Sequence, residues 1–538
     1  MVKLATFAWS LVVCFGLALT GPAVAQNGSS FIDSPASMAR YSVAPAHPQM
    51  ACGDLLSLSD ATLTLLSARL VPASDDAPEH CRVAGVISPE VRIEVNLPTA
   101  WNRRFYMIGN GGFAGETPET LFRPLYRAAA LRQGFATATT NTGHDAAEEP
   151  LASFASRNLQ KRIDYAFRAV HVTAVTAKHI AARYFGRPPA FSYWDGCSTG
   201  GRQGLMEAQR FPHDFDGILV GAPVLRFVDT ITSSLWNGKA LAEAPVPLEK
   251  LKLVSDAVYA LCDAKDGLKD GLIEDPRQCH FDPARDVRQC AAGNDSADCL
   301  TAAQTEAIKK VYSGYLSNGQ PQFVGFEPGG EVVGTHLSPP LPSGQPESGW
   351  AMWLVAPPGQ VSRQLAFGET FMKYFALGRG NPNYDWHSFD FDKDPARLDD
   401  LRSLLDADNA DLSAFRGGGG KLLMYFGWAD TALPPQMGVD YYEKVVATNG
   451  AATTQFMRLF MVPGMFHCRG GIGTDRFDAM TPLIDWVETG AAPEKLNAAH
   501  VDAGKVVRTR PLCPYPQVAR YTGAGSSDEA ANFACKVP

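Results

Sequence analysis

The segment that most constrains the fold of this chain is a Gly-x-Ser-x-Gly motif at residues 196–200, with Ser198 at its centre. Residues 190–194 before it have the composition of a buried strand, and residues 201–210 after it have the pattern of a helix. A sharp strand-to-helix turn lifts the serine oxygen above the edge of a sheet, and the glycines permit close backbone approach. The motif predicts an exposed nucleophilic serine in an α/β fold; a glycine-rich turn around an ordinary serine is the alternative.

Strand and helix patterns alternate along much of the chain, which predicts an α/β domain. Strand patterns lie at 83–87, 91–97, 105–108, 135–140, 218–220, 421–426 and 456–462, and further helical patterns lie at 164–185 and 481–489. From 224 to 416 the pattern changes to helical stretches among Pro/Gly-rich loops, which indicates an inserted domain. We therefore expect a domain built from residues 26–223 and 417–538, with the insertion between its two parts.

The first 25 residues have the features of a secretory signal peptide. Lys3 precedes an apolar run from residue 4 to 20, and Ala23 and Ala25 form a small-x-small cleavage pattern before Gln26. An uncleaved anchor is the alternative, but the run is short for a membrane span. The expected mature protein is secreted or periplasmic and free of the membrane. A net charge of −8 without a basic run argues against a nucleic-acid partner.

Ten cysteines follow the signal segment. An even number in an exported chain, without a Cys-x-x-Cys pair, indicates disulfides rather than zinc ligands. Pairing between neighbours in sequence is natural for Cys262–Cys279, Cys290–Cys299 and Cys513–Cys535. The four cysteines that remain are Cys52, Cys81, Cys197 and Cys468.

A serine nucleophile needs a base and an acid, and in this architecture both follow later strands in the order serine, acid, histidine. Asp430 follows the strand at 421–426, and His467 follows the strand at 456–462. We predict that His467 takes the Ser198 proton and that Asp430 orients its ring. The alternatives are that Asp430 is a helix-cap or turn aspartate and that His467 is a loop histidine, neither with a catalytic role. His144 is the best rival base, although a structural or site-wall role suits it better.

The loop at residues 109–112 precedes the motif in the chain and is rich in glycine. We expect the oxyanion to be bound by the backbone N–H of Thr199 and by one N–H of this loop, with Gly112 as the first choice and Gly111 as the second. The alternative is that the loop is a plain tight turn. Cys197 and Cys468 each adjoin a candidate catalytic residue. If Ser198 and His467 meet, the two cysteines come within disulfide reach; two separate buried thiols are the alternative.

A short acidic loop lies within the predicted insertion. Asp263, Asp266 and Asp270 place three carboxylates within eight residues, and two glycines allow a tight turn. Oxygen ligands of this kind suit Ca²⁺, although the spacing is not that of an EF-hand. A solvated acidic turn is the alternative.

These motifs together resemble the tannase/feruloyl esterase family, which includes enzymes acting on mono(2-hydroxyethyl) terephthalate. The resemblance is carried by residues 196–204 (GCSTGGRQG), 216–223 (DGILVGAP), 427–430 (GWAD) and 467–468 (HC). It implies an α/β-hydrolase fold with a large lid, 224–416, and a triad of Ser198, Asp430 and His467. It also implies the disulfides Cys197–Cys468 and Cys52–Cys81. It further implies a structural Ca²⁺ held by the carboxylates of Asp263, Asp266 and Asp270 and the carbonyls of Leu268 and Leu272.

The resemblance implies a serine carboxylesterase that acts on a small aromatic ester, with an acyl pocket supplied by the lid. Candidate ring contacts are Trp350, Trp353, Phe367, Phe371, Tyr374 and Phe375. Glu369 or Arg363 are candidates for contact with ring hydroxyls or a carboxylate. We expect feruloyl or hydroxycinnamoyl esters, with galloyl esters (tannase) and terephthalate half-esters as alternatives. An acyltransferase and a calcium-stabilised binding protein with a silent site are more distant alternatives, and the oligomeric state stays open.

Overall fold

The structure is a computed structural model that describes residues 31, 34–39, 44–120, 122–331, 349–356 and 359–538. The expected signal peptide over 1–25 and its cleavage site lie outside the described residues. Sixteen strands are described, and they are numbered here in chain order. They are β1 Leu63–Val71, β2 His80–Ile87, β3 Val91–Pro98, β4 Arg104–Ile108, β5 Ala136–Thr140, β6 Phe191–Cys197, β7 Gly217–Gly221, β8 Leu316–Ser317, β9 Gln320–Pro321, β10 Lys421–Gly427, β11 Met457–Val462, β12 Arg476–Phe477, β13 Leu496–Asp502, β14 Lys505–Leu512, β15 Val518–Tyr521 and β16 Phe533–Lys536.

Helices are described between and around these strands, and none of those described is long and apolar enough to cross a membrane. They are α1 Arg123–Arg132, α2 Leu159–Ile163, α3 Ala169–Phe185, α4 Thr199–Arg210, α5 Phe227–Glu243, α6 Leu248–Cys262, α7 Pro283–Asp286, α8 Ala302–Ser313, α9 Gly349–Trp353, α10 Arg363–Tyr374, α11 Asp399–Leu405, α12 Ser413–Gly417, α13 Gln436–Asn449 and α14 Met480–Thr489.

A nine-stranded mixed sheet forms the centre of the molecule, in the order β1-β2-β3-β5-β4-β6-β7-β10-β11. The six strands from β5 to β11 in this order are parallel, whereas β1, β2 and β3 pair antiparallel. β4, β5 and β7 are buried along their whole length, as expected for strands covered on both faces. The fold is therefore α/β, as the alternation of strand and helix patterns predicted.

Helices cover both faces of this sheet. α3 and α4 pack on one face, against β5 and against β6 and β7 respectively, while α1 and α14 pack on the other. Each face has its own cluster of buried apolar side chains. The carboxyl ends of β4, β6, β10 and β11 meet at one edge because these strands are parallel, so the loops that follow them lie together.

The chain makes a long excursion between two neighbouring strands of the sheet. β7 and β10 pair in parallel, yet residues 222–420 separate them and contain α5 to α12. Part of this excursion has its own apolar cluster, which includes residues of α6 and α8 and the buried Trp350. The excursion thus corresponds in position to the predicted insertion.

Candidate active site

Ser198 stands at the turn between β6 and α4, in a backbone conformation that non-glycine residues rarely adopt. Its φ is +62° and its ψ is −122°. The Ser198 N–H donates to the carbonyl of Gly221 in the next strand at 2.9 Å, which fixes the turn against the sheet. Such strain is typical of a nucleophile held out from the end of a strand. The structure thus gives Ser198 the position that the motif predicted.

The glycines of the motif are required because three backbone segments meet here. A Cβ on Gly196 would lie 2.5 Å from the carbonyl carbon of Gly200, and one on Gly109 would lie 2.6 Å from the Gly200 Cα. Real Cβ atoms do not approach backbone this closely, so the loop after β4 can reach the start of α4 only without side chains at these positions. This contact brings the 109–112 loop beside Ser198.

Asp430 and His467 are in direct contact after β10 and β11. The Nδ1 atom of His467 lies 2.7 Å from Oδ2 of Asp430. The other carboxylate oxygen, Oδ1, accepts hydrogen bonds from the N–H groups of Ala432 and Leu433 at 2.8 and 3.0 Å. Asp430 is 2% exposed and His467 8% exposed, so bulk water competes little for this contact. The carboxylate is therefore fixed in an orientation that holds the imidazole ring.

A disulfide connects the two halves of this site. Cys197, next to Ser198, is bonded to Cys468, next to His467, with Cα atoms 6.0 Å apart. This bond holds the Ser198 turn and the His467 loop together across a sequence separation of 271 residues. The structure contains the other four expected pairs as well, and they are Cys52–Cys81, Cys262–Cys279, Cys290–Cys299 and Cys513–Cys535.

The oxyanion donors expected from the sequence belong to the start of α4 and to the 109–112 loop. Thr199 is the first residue of α4, so its N–H has no acceptor within the helix, and its hydroxyl donates to the carbonyl of Gly112 at 2.5 Å. Gly111, the second choice from the 109–112 loop, donates its N–H to Oε1 of Glu116 at 2.7 Å instead. That N–H is already occupied, which favours Gly112 over Gly111 as the expected loop donor. Gly112 has a φ of +52°.

Sequence reasoning missed the side chains that hold this loop. Glu116 accepts from the N–H of Gly111 through one oxygen and from the Asn110 side chain through the other, at 2.8 Å. Gln203, one turn into α4, accepts from the Asn110 N–H at 2.9 Å. Gln203 contacts Asn110 across a sequence separation of 93 residues, whereas Glu116 is only five residues from Gly111. No spacing pattern in the sequence marks either side chain as a contact of this loop.

The aromatic candidates divide into two groups. The Trp353 ring meets the His467 ring edge to face, with centroids 5.6 Å apart, and it also contacts Phe367. A Cβ on Gly112 would lie 3.2 Å from Phe367, so this ring adjoins the expected oxyanion loop. Trp353 and Phe367 therefore border the site, and the guanidinium of Arg363 lies 5.5 Å from the centre of the Trp353 ring.

The other candidates are packed in apolar clusters or paired with a neighbouring side chain, and their contact with substrate stays a prediction. Trp350 and Phe371 are fully buried, and Phe375 is 1% exposed. These rings fill apolar clusters because they face the interior of the insertion or the sheet. Glu369 is already paired with Lys373 at 2.6 Å, one helical turn away. Tyr374 packs against the edge of the main cluster.

His144, the rival base, is a buried residue without contact to the Asp430 pair. It is 2% exposed and stacks on Phe154, with ring centroids 3.8 Å apart. Burial lowers its pKa to about 4, so the ring is neutral at neutral pH. The structure places His144 in a structural position, in line with the interpretation preferred from the sequence.

The acidic loop holds its carboxylates against its own backbone. Oδ1 of Asp263 accepts from the Asp270 N–H at 3.1 Å, and Oδ1 of Asp266 accepts from the Leu268 N–H at 2.9 Å. Burial and then the charges of Asp270 and Asp263 raise the pKa of Asp266. One oxygen of Asp270 is paired with Arg510. The three carboxylates do not converge as tightly as a ready-made site would, but an all-oxygen donor set with mutual repulsion fits Ca²⁺.

Comparison with known proteins assigns the chain to a family. A family model described as tannase and feruloyl esterase matches residues 76–536. The chain belongs to the tannase and feruloyl esterase family. Among its relatives, an uncharacterized esterase of Xanthomonas campestris is 38% identical, with 91% of this chain and 92% of that protein covered. The mono(2-hydroxyethyl) terephthalate hydrolase of Piscinibacter sakaiensis is 35% identical, with 90% of each chain covered.

Family membership agrees with the fold. The crystal structure of feruloyl esterase B from Aspergillus oryzae superposes with a TM-score of 0.77 at 27% identity, covering 90% of this chain and all of that one. The resemblance noted from the motifs is thereby confirmed. As a member of the tannase and feruloyl esterase family, the protein is a carboxylic ester hydrolase, and the alternative of a silent binding protein is not supported.

Proposed function

We propose that the protein is a secreted serine carboxylesterase that hydrolyses aromatic esters through Ser198, His467 and Asp430. The observation that carries this proposal is the disulfide from Cys197 to Cys468, which joins the strained Ser198 turn to a histidine already oriented by an aspartate. A structural serine and a structural histidine would need no such connection. The proposed fold is the α/β-hydrolase fold, because nucleophile, acid and base all follow parallel strands in the expected order.

The proposed reaction begins with attack of the Ser198 oxygen on the ester carbonyl carbon, while Nε2 of His467 takes the serine proton. The oxyanion is bound by the N–H of Thr199, at the start of α4, and by the N–H of Gly112 in the 109–112 loop. The dipole of α4 also favours negative charge at this position. His467 then protonates the leaving alcohol, and an acyl-enzyme remains. Water, deprotonated by His467, attacks the acyl-enzyme and releases the acid and the free serine.

The proposed acyl pocket lies under the insertion, residues 224–416, which we infer to act as a lid domain. Trp353 and Phe367 support this because they border His467 and the 109–112 loop and belong to helices of that segment. Two flat rings near the reacting atoms suit an aromatic acyl group. We favour feruloyl or hydroxycinnamoyl esters, as expected from the sequence; tannase activity on galloyl esters is the alternative with the same machinery.

A second substrate class is favoured by one specific contact. The Arg363 guanidinium lies over the Trp353 ring, which itself borders His467. An arginine at the rim of an aromatic pocket can bind a carboxylate on the far side of a substrate ring. This arrangement suits a terephthalate half-ester, whose ring carries a free carboxylate opposite the ester.

The proposal is tested by the release of acid from methyl ferulate, methyl gallate and mono(2-hydroxyethyl) terephthalate. We expect Ser198→Ala to lower kcat by about 10⁴-fold or more for every substrate that is hydrolysed, with an unchanged melting temperature. Labelling of the wild-type protein by a fluorophosphonate, absent in Ser198→Ala, is the matched control. Preference for the half-ester would support contact between Arg363 and the free carboxylate of the substrate, and preference for gallate would identify the protein as a tannase. Substantial hydrolysis by Ser198→Ala contradicts the mechanism.

We further propose that the loop at 263–272 binds a structural Ca²⁺. The ligands would be the carboxylates of Asp263, Asp266 and Asp270 and the carbonyls of Leu268 and Leu272. Calcium would supply charge neutralisation to a crowded acidic turn whose ends are joined by the Cys262–Cys279 disulfide. Export to an oxidising compartment, periplasmic or extracellular, is proposed from the apolar N-terminal segment and supported by the five disulfides.

A further inference from the structure

Three potential metal ligands meet away from Ser198, near the far end of the helix that begins beside it. His171 lies in α3, Glu207 lies in α4, and Asp214 lies in the loop after α4. Each offers one ligand atom, and these atoms all lie within 4.8 Å of one another. Among the residues that the structure describes, this is the one group of His, Cys, Asp and Glu side chains with that property.

Glu207 is the member of this group whose burial is hardest to explain without a bound ion. It is 1% exposed, and neither of its carboxylate oxygens has a hydrogen-bond partner in the structure. A buried carboxylate without a partner is costly, because it has lost water and gained nothing in return. The Glu207 carboxylate lies beside the side chains of His171 and Asp214, because one ligand atom of each of the three residues lies within 4.8 Å of the others.

The surroundings of the group place one ammonium group near Asp214 and leave one side open to solvent. The Nζ atom of Lys178 donates to the backbone carbonyl of Asp214 at 2.7 Å and forms a longer ion pair with Oδ1 of Asp214 at 3.8 Å. The Nδ1 atom of His171 lies 2.6 Å from Oδ2 of Asp214, and its ring stacks on Phe211. The His171 side chain is 32% exposed, which gives an ion a path to Glu207 and a position for water.

We propose that His171, Glu207 and Asp214 bind a divalent transition-metal ion, with Zn²⁺ as the best match. One imidazole nitrogen and two carboxylates form a donor set that suits Zn²⁺, which binds three protein ligands and water, whereas Ca²⁺ prefers oxygen alone. Binding exchanges the hydrogen bond between His171 and Asp214 for bonds to the metal.

The proposed ion has a structural role. α4 begins at Thr199, and a rise of about 1.5 Å per residue places Glu207 roughly 12 Å along the helix from the oxyanion donor. The metal therefore touches no reacting atom. It clamps α3 to the C-terminal part of α4, and so it holds the helix whose first turn faces the substrate.

The test is calorimetric titration of ZnCl₂ into the chelator-treated mature protein, with excess CaCl₂ present to saturate the acidic loop. We expect one Zn²⁺ per chain and a melting temperature that rises by several degrees with zinc. His171→Gln and Glu207→Gln should each weaken zinc affinity at least tenfold and abolish the thermal shift. His179→Gln is the matched control, because it is the same change in the same helix at an exposed position outside the group.

Each outcome of this titration either supports or contradicts the proposed zinc site. If Glu207→Gln does not fold, His171→Gln carries the test, since His171 is at the solvent-facing side of the group. An absence of zinc uptake by the wild-type protein, or uptake that His171→Gln retains with unchanged affinity, overturns the site. Ester hydrolysis by His171→Gln should stay close to that of the wild type, which separates failure here from failure of the proposed function.

Discussion

At the scale of single residues, the hydrogen bonds of Asp430 fix the orientation of its carboxylate toward His467. Its Oδ1 is held by two backbone N–H groups, so its Oδ2 cannot turn away from His467. In the proposed mechanism, this contact keeps the ring proton on Nδ1 and leaves Nε2 free to accept the serine proton. An amide at this position would present a donor or a flipped oxygen and would favour the wrong ring tautomer.

We expect Asp430→Asn to lower kcat by about 10⁴-fold while the melting temperature changes little. The substitution keeps the shape of the side chain and removes the charge that stabilises the protonated ring. Steady-state kinetics on the best substrate measure the effect. Asp256→Asn, at an exposed position of α6, is the control and should leave kcat unchanged. More than a tenth of wild-type activity in Asp430→Asn would contradict the role.

His144 predicts a pH dependence of stability. Its pKa is about 4 in the folded protein, against 6.5 for an ordinary histidine, because burial disfavours the charged ring. The unfolded chain binds a proton below pH 6.5 and the folded chain does not, so stability is lost as pH falls from about 6.5 to 4. The loss amounts to about 3 kcal/mol.

The measurement is urea unfolding across that pH range. His144→Phe, which retains a flat ring against Phe154, should be less sensitive to pH over the interval whatever its absolute stability. An equal slope in the two proteins would show that His144 does not titrate in this way.

At the scale of elements, the sequence predicted the parallel strands around the site better than the strands at the margins. Buried parallel strands such as β7 and β10 are continuous apolar runs between turn residues, which pattern analysis detects. β1 was not predicted, because its pairing with β2 shifts register between Leu65 and Ser67 and its burial alternates only over its first four residues. The Glu116 contact escaped prediction for a different reason: it spans only five residues, but it depends on the backbone path of an irregular turn, which has no periodic pattern.

The disulfide between β6 and the His467 loop should contribute more to stability and activity than a disulfide that closes a short loop. We expect replacement of Cys197 and Cys468 by Ala to lower both the melting temperature and kcat. Replacement of Cys290 and Cys299 by Ala is the matched control, because that bond closes only nine residues. On the chain-entropy model the longer bond contributes about 3 kcal/mol more. Calorimetry with kinetics on both double variants checks this, and equal effects would contradict it.

At the scale of the whole molecule, the acidic loop connects the excursion after β7 to the C-terminal strands. Asp270 pairs with Arg510 in β14, and Arg520 in β15 donates to the Asp266 carbonyl at 2.8 Å. The sequence predicted the insertion from its change of pattern. It did not predict this connection, because charge pairs between distant segments leave no local periodicity. It also did not separate the aromatic residues that border His467 from the fully buried ones. Trp350 and Trp353 are three residues apart on one helix, and Phe367 and Phe371 are four apart on another, so each pair shares a face.

Removal of calcium should therefore loosen two regions at once. We expect a calcium-selective chelator to lower the melting temperature by several degrees and to change kcat of the remaining folded enzyme little, because no proposed ligand lies in the catalytic machinery. Differential scanning calorimetry with and without added CaCl₂ measures the shift. Asp266→Asn should abolish the response to the chelator. An unchanged melting temperature in the wild type would argue against the ion.

The bond from Cys197 to Cys468 also has a consequence for biogenesis. Every other disulfide in the structure joins cysteines that are consecutive in the mature chain, whereas this one encloses two complete bridges, Cys262–Cys279 and Cys290–Cys299. In a chain that enters an oxidising compartment N-terminus first, Cys197 arrives long before its partner and meets Cys262 earlier. Correct pairing then requires either folding before oxidation or a disulfide isomerase, and on the second route the yield of active enzyme is limited by thiol exchange.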